Sequence, residues 1–167
     1  MRRNRLIAAV AVRAGRAVQS IGYKHFRPLG DVACLVENLD RWGADGIVVL
    51  SIDRHLEGPD LDLLKRLSQL KLSTPLTYGG GVRNADQALQ AVQYGAERLV
   101  IDRALSDAPK QIAEIAESVG RQALIASIPL CKNKNGVVEH WRHWQKCSNP
   151  LRPWLLNKQW QQHVSEI

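Results

Sequence analysis

The sequence predicts an α/β protein with about five parallel strands and flanking helices. Short, continuously apolar runs alternate with segments whose apolar residues recur at helical spacing, which is typical of βα units and a parallel sheet covered on both faces. In addition, Trp42–Val48 and Tyr94–Val100 share one pattern at the junction between a helix and the next strand. Such a repeat favours a barrel built by duplication over a Rossmann sheet, unless turns of this kind simply resemble one another.

The first half of the chain predicts two βα units. Their strands are the apolar runs Leu6–Val12 and Gly46–Leu50. Asp31 is the expected N-cap of the first helix and Gly43 its stop, whereas the second helix is entered through Pro59. Apolar residues at helical spacing mark the inward faces of these two helices: Val32, Leu35, Val36 and Leu39, then Leu61, Leu64, Leu67 and Leu70.

The second half continues the alternation. Asn84–Gln87 has the pattern of a capping box and opens a helix that Gly95 stops. A further helix is expected over Ala108–Val119, before Gly120. Three more strands are predicted around these helices, at Leu76–Tyr78, Arg98–Ile101 and Gln122–Ser127.

The tail, residues 131–167, differs from residues 1–130 in composition. It contains Trp141, Trp144, Trp154 and Trp160, four of the five tryptophans of the chain. Gly136–Trp141 predicts an extra strand, and Pro153–Val164 predicts a helix whose inward residues are Trp160, Val164 and either Leu155 or Leu156. We expect this basic, Trp-rich tail to close the sheet or to form an interface.

Composition excludes some classes of protein. The chain is 45% apolar with a net charge of +7, and no apolar run approaches the roughly 18 residues of a membrane span. The basic N-terminus resembles a signal peptide only superficially, because Arg13 and Arg16 interrupt it. The three cysteines do not pair as CxxC, which favours the reducing cytoplasm. The charge is compatible with nucleic acid, phosphorylated metabolites or an acidic partner, but no nucleic-acid module is visible.

The most specific motif is Tyr78–Asn84, in which Gly79, Gly80 and Gly81 follow a strand and lead into a capped helix. Backbone N–H groups of such a turn can approach a phosphate closely, although a merely tight turn would look the same. Arg103 follows the neighbouring strand and can clamp the same phosphate. The alternative is a surface ion pair with Asp102.

Other strand ends supply candidate catalytic groups. Asp53, His55 and Asp102 can act as acid or base there, or can belong to solvated turns. His140, His143 and Cys147 form a metal-like cluster in the tail, but no second paired set exists. We therefore expect no metal and no cofactor.

Several segments in order are similar to one known family, over about residues 5–128: Arg5–Val12, Ala14–Val18, Gly30-Asp31, Thr77–Gly81, Tyr94–Ala96 and Ala116–Leu124. They resemble the cyclase subunit of imidazole glycerol phosphate synthase (HisF), a lyase of histidine biosynthesis. Ile21–Asp31 is more similar to a branch of that family that helps make acetamidino sugars for surface polysaccharides. The resemblance implies a (βα)8 TIM barrel that receives ammonia from a glutaminase subunit, as amidotransferases do, and binds a substrate with two phosphates.

The resemblance also implies roles for particular residues. Gly79–Gly81 matches one phosphate site, and Arg103 stands where a small polar residue would complete that site. Arg5 and Arg98 match the basic members of the charged ring at the ammonia entrance. Glu166 corresponds to one acidic member of that ring, and Gly46 replaces another.

The departures from the family are chemical. Ala11, Pro129 and Ser51 occupy the positions of the family's strand-end aspartates. Neither alanine nor proline can transfer a proton, so we expect the ring-forming chemistry to be absent.

Length is the second departure, because the chain has room for about five strands of a truncated barrel. An open sheet would expose its inner face and both edges, so we expect self-association, with closure by the tail or a partner such as a glutaminase subunit as alternatives. Two other functions stay open: a non-catalytic regulatory module, and a different enzyme that uses Asp53, His55 or Asp102.

Overall fold

Seven strands form one mixed sheet in the computed structural model, which describes residues 5–22, 24–143, 145–151 and 158–167. The strand order is β3-β2-β1-β4-β5-β6-β7. Strands β1, β4, β5, β6 and β7 are parallel, whereas β2 and β3 are an antiparallel hairpin beside β1. The strands are β1 (Ile7–Arg13), β2 (Arg16–Ile21), β3 (His25–Gly30), β4 (Gly46–Ser51), β5 (Leu76–Gly79), β6 (Arg98–Ile101) and β7 (Leu124–Ala126).

Five α-helices connect these strands: α1 (Val32–Arg41), α2 (Leu61–Ser68), α3 (Ala85–Gln93), α4 (Arg103–Asp107) and α5 (Gln111–Val119). The predicted caps are present, since Asp31 accepts a hydrogen bond from the Cys34 N–H at 3.1 Å and Asn84 accepts one from the Gln87 N–H at 2.9 Å. Two short 3₁₀ helices lie at Arg121–Ala123 and Lys158–His163.

The helix predicted over Ala108–Val119 begins later than expected. The α5 helix begins at Gln111, and α4 ends at Asp107. Ala108 has φ −145° and ψ 63°, outside the helical region, because the ring of Pro109 disfavours helical backbone in the residue before it. The break separates α4, which borders the pocket described below, from α5.

Only one face of the sheet is fully buried. Alternate strand residues such as Ile47, Val49 and Leu99 are completely buried among the helices. The other face, which includes Val48 and Val100, is half-buried, and Ile7 on this face is 50% exposed. The barrel is therefore not closed, as the truncated-barrel prediction implied.

Both edges of the five parallel strands are paired within the chain. The hairpin β2–β3 pairs with β1 on one side. On the other side, Glu166 pairs with Ile125, the Ala126 N–H donates to the Glu166 carbonyl at 2.9 Å, and the Ser165 N–H donates to Leu124. Backbone groups of edge strands need partners, and these two segments supply them to the parallel strands.

The tail forms a second, antiparallel sheet of three strands, β8 (Leu130–Lys132), β9 (Val138–Arg142) and β10 (Cys147–Pro150), in the order β10-β9-β8. After it, Trp160 and Val164 join the main core at 6% and 4% exposure. The described residues do not include Trp144, Trp154, Leu155 or Leu156. They also exclude residues 153–157, the first part of the predicted Pro153–Val164 helix. No helix in the described part of the chain combines the length and apolar character that a membrane crossing requires.

Candidate functional site

A pocket lies where the carboxyl ends of β4, β5 and β6 meet, which is the edge at which barrel proteins build their sites. Its floor is apolar and comes from the half-buried face of the sheet, including Leu50 and Val100. Its polar wall combines the carboxyl-terminal ends of β4, β5, β6 and β7 with one residue of the turn between β9 and β10. The residues that contribute to this wall are Ser51, His55, Gly79–Arg83, Asp102, Arg103, Ser127 and His143.

The glycine turn is packed tightly against the loop between β4 and α2. A Cβ on Gly79 would lie 2.7 Å from Leu50 Cδ2. A Cβ on Gly80, where φ is +128°, would overlap the Ser51 carbonyl oxygen, and one on Gly81, where φ is +76°, would overlap the Gly58 carbonyl. The fold itself thus requires all three glycines, independently of any ligand.

Two arginines border the pocket and bind the same loop. Arg83 Nη2 donates to the Leu56 carbonyl at 3.2 Å. Arg103 Nη1 donates to the His55 carbonyl at 2.7 Å, and its Nε donates to Asp107 Oδ2 at 2.8 Å. The ion pair of Arg103 that the structure describes is thus with Asp107 rather than with Asp102. Arg103 lies beside Gly79–Gly81 as the sequence predicted, and its phosphate contact stays a prediction.

Asp102 contacts His143, a residue from the tail. Its Oδ2 lies 3.3 Å from His143 Nδ1. Its Oδ1 is buried and, among the described residues, has no hydrogen-bond partner. Burial raises the pKa of Asp102 to about 7, and the charge of Asp107 adds to this. Burial also lowers the pKa of His143, and the charges of His55, His140 and Arg103 add to that effect.

Of the other two candidate acid–base residues, His55 lies at the pocket and Asp53 does not. His55 borders the pocket. Asp53 is absent from its lining, and Asp53 Oδ2 instead accepts a hydrogen bond of 2.6 Å from Ala14 N–H in the turn between β1 and β2. Its predicted catalytic role remains a prediction, but the structure gives it a structural task.

Ala11 and Pro129, which the resemblance matches to strand-end aspartates of the family, lie near the pocket; the match itself stays a prediction. Pro129 lies in the pocket wall. Ala11 on β1 is paired with Leu50, which is part of the pocket floor. Both positions are therefore in or next to the pocket.

The opposite end of the sheet carries the residues matched to an ammonia entrance. Arg98 Nη1 lies 2.9 Å from Glu166 Oε1, and its Nη2 donates to Ser165 Oγ at 2.7 Å. Arg5 is exposed just before β1, at the same amino-terminal edge. The ion pair brings together two of the three predicted residues; their role as an entrance stays a prediction.

Two residues of the pocket were not predicted there from the sequence, Arg83 and His143. Arg83 belongs to the Tyr78–Asn84 motif, so its position beside the turn was available as a signal. His143 was considered only as a metal ligand with His140 and Cys147. Across the described residues, no three His, Cys, Asp or Glu side chains come close enough to hold a metal ion, and the three cysteines are free.

Parallel strands covered by helices, with a pocket at their carboxyl ends, define a barrel-type α/β protein. The sequence model of the family described as "Histidine biosynthesis protein" matches residues 5–156, and the chain belongs to this family. It is 36% identical over 126 residues to the imidazole glycerol phosphate synthase subunit HisF of Thermococcus gammatolerans. The aligned region covers 74% of this chain and 50% of that protein.

Two further relatives are also named as HisF. HisF of Sulfurisphaera tokodaii is 31% identical over 140 residues, covering 83% of this chain and 56% of the relative. A putative HisF of Leptospira interrogans is 31% identical over 134 residues, covering 79% and 52%. The chain spans about half the length of the curated relatives it matches. The resemblance to the HisF family is thus confirmed, whereas the assignment to the acetamidino-sugar branch stays a prediction.

Proposed function

We propose that the chain binds a phosphorylated small molecule in the pocket beside Gly79–Gly81. The charge of the pocket carries this proposal. The guanidinium groups of Arg83 and Arg103 border it, and of the described lining residues Asp102 alone carries a carboxyl group, which is largely buried. A cationic, partly apolar cleft favours an anion attached to a small organic body. The relatives are named as subunits of imidazole glycerol phosphate synthase, which supports a phosphorylated substrate class.

We further propose that this binding occurs without the ring-forming reaction. Ala11 and Pro129 hold no transferable proton, and they lie in or next to the pocket. Product formed from the family's ribonucleotide substrate and ammonia would contradict this part. In this proposal, the lost ancestral role is the synthase step of histidine or acetamidino-sugar biosynthesis, and the protein acts in the cytoplasm.

Calorimetric titration with ribose 5-phosphate and with ribose tests the binding. We expect binding of the phosphorylated sugar only. Arg83→Gln should weaken it about 10-fold or more, since a charge-assisted hydrogen bond contributes about 1.5–3 kcal/mol. Arg66→Gln is the matched control because Arg66 pairs with Asp31 on the surface, outside the pocket lining. Equal affinity for both sugars, or equal effects of both variants, would refute the proposal.

Self-association through the half-buried face of the sheet is the second part of the proposal. Ile7 on this face is 50% exposed, and Val48 and Val100 are only half-buried. A second copy of the chain can cover this apolar surface. Light scattering on a sizing column at micromolar concentration should give a dimer or larger, which Ile7→Lys should dissociate. Leu89→Lys, at an exposed position of α3, should not. A wild-type monomer would end this part.

A second candidate function is a non-catalytic partner of a glutaminase-type subunit. The Arg98–Glu166 ion pair and the exposed Arg5 favour it, because all three charged residues lie along the amino-terminal edge of the sheet. Co-elution with a glutaminase subunit that Arg98→Ala abolishes and Arg66→Ala spares would support this candidate. The absence of any complex would remove it.

A further inference from the structure

We propose that Asp102 and His143 form an acid–base pair that takes up a proton when a dianionic phosphate ester enters the pocket. The inference rests on the proposed function, because its ligand is the phosphorylated molecule assigned to that pocket. It gives a chemical role to Asp102 and His143, which are not at the positions matched to the family's strand-end aspartates. The proton comes from solvent and ends on an Asp102 carboxylate oxygen, so no other covalent bond forms or breaks.

The geometry of the pair carries the inference. Asp102 and His143 both line the pocket, and their side chains are 19% and 27% exposed. Oδ2 lies 3.3 Å from Nδ1, so the charge on either group acts directly on the other. The other carboxyl oxygen is buried and, in the described part of the chain, has no hydrogen-bond donor. A charged carboxylate in that position would lack compensation, so a proton on the pair is favoured.

An arriving dianion strengthens this preference. A negative ligand beside a carboxyl disfavours the carboxylate and favours any protonated group. Burial already raises the pKa of Asp102 to about 7, so near neutral pH a small further increase converts the carboxylate to the acid. The charged or titratable groups that share the pocket or act on the pair are Arg83 from the glycine turn, His55 from the β4–α2 loop, Arg103 and Asp107 from α4, and His140 from β9.

Calorimetry with sodium sulfate at pH 8 tests the proton uptake. Sulfate keeps its charge between pH 6 and 8, whereas a phosphate ester titrates there itself. Measurements in two buffers with different ionisation enthalpies give the number of protons bound with the anion. We expect about half a proton or more per site, and an affinity that weakens several-fold from pH 7 to pH 8. Binding without proton uptake would overturn the inference and leave the proposed function intact.

Asp102→Asn separates this pair from the other titratable groups. The amide keeps the shape of the side chain but cannot take up the proton, so its sulfate affinity should be independent of pH and should exceed that of the wild type at pH 8. Asp62→Asn, at an exposed position in α2, is the matched control and should behave like the wild type. Undiminished uptake in Asp102→Asn would assign the proton to another group and refute the inference.

The imidazole is tested by NMR titration of the histidine nitrogens in the full chain. His143→Gln identifies the His143 signals by their loss. We expect the titration midpoint of His143 to move in Asp102→Asn and to stay in place in Asp62→Asn. An unchanged midpoint in both variants would show that the two groups are not coupled. Failure of every variant to bind either sulfate or ribose 5-phosphate would instead refute the proposed function.

Discussion

Replacement of Gly81 with alanine should destabilise the protein more than the same change at Gly43. The two glycines have nearly the same positive φ, +76° at Gly81 and +79° at Gly43. The cost of holding an L-residue there, about 1–2 kcal/mol, is therefore common to both. Their surroundings differ. A Cβ on Gly43 would meet nothing within 4 Å, whereas one on Gly81 would overlap the Gly58 carbonyl and lie 2.8 Å from the Arg54 carbonyl oxygen.

The difference between the two variants isolates this contact. All three atoms that the new methyl would meet at Gly81 belong to the backbone, so relief requires the glycine turn and the β4–α2 loop to separate. Forcing an extra methyl into a packed site costs about 1–3 kcal/mol. We expect a loss of about 1–2 kcal/mol for Gly43→Ala and about 2–5 kcal/mol for Gly81→Ala.

Urea unfolding followed by tryptophan fluorescence and far-UV circular dichroism measures both losses. The slope with urea should be the same in the two variants, so that a change in midpoint reports stability alone. If the two losses agree within about 0.5 kcal/mol, the uncertainty expected of such comparisons, the described packing of the turn is refuted.

Three further predictions concern stability. Asp102→Asn should stabilise the protein by up to about 4 kcal/mol at pH 8 but not at pH 4. The unfolded carboxyl releases its proton near pH 3.8 and the folded one near 7, so wild-type stability falls as pH rises between these values, and equal gains at both pH values would contradict this. Urea titration should show that Trp160→Ala lowers the free energy of unfolding by about 3–5 kcal/mol, because Trp160 is buried. Glu166→Gln should lower it by less than about 1 kcal/mol, because the Arg98–Glu166 ion pair is exposed. The reverse order would be inconsistent with the described core. Tyr78→Phe should cost about 1–3 kcal/mol in a urea or thermal melt, since the Asp60 N–H would lose its acceptor, and no loss would exclude that bond.

The βα framework was predictable because its periodicity is local. Gly46–Ser51 is a continuous aliphatic run, and the Asp31 and Asn84 caps stand in the sequence at the positions where the structure uses them. The β2–β3 hairpin was missed for the complementary reason. His25–Gly30 has an exposed surface on both faces, so its sequence carries no alternation between apolar and polar residues.

The site was predictable only where the topology alone brings residues together. His55, Gly79–Gly81 and Arg103 follow parallel strands, and parallel strands end at one edge. Closeness to a strand end did not place Asp53 in the pocket, because β4 ends at Ser51 and the Asp53 carboxylate accepts a hydrogen bond in the β1–β2 turn. His143 reaches the pocket through the tail sheet, and no local pattern encodes where a separate sheet packs.

The glycine motif is weaker evidence for phosphate than its sequence suggests. Close contacts with β4, β6 and the β4–α2 loop leave no room for a Cβ at Gly79, Gly80 and Gly81 whether or not an anion binds, so the motif cannot distinguish the two explanations. The arginines can, because Arg83→Gln removes a charge from the pocket without placing a side chain between the turn and the loop. A variant that weakens ligand binding at unchanged stability therefore argues for an anion site, whereas any glycine variant confounds binding with the packing that holds the pocket wall in place.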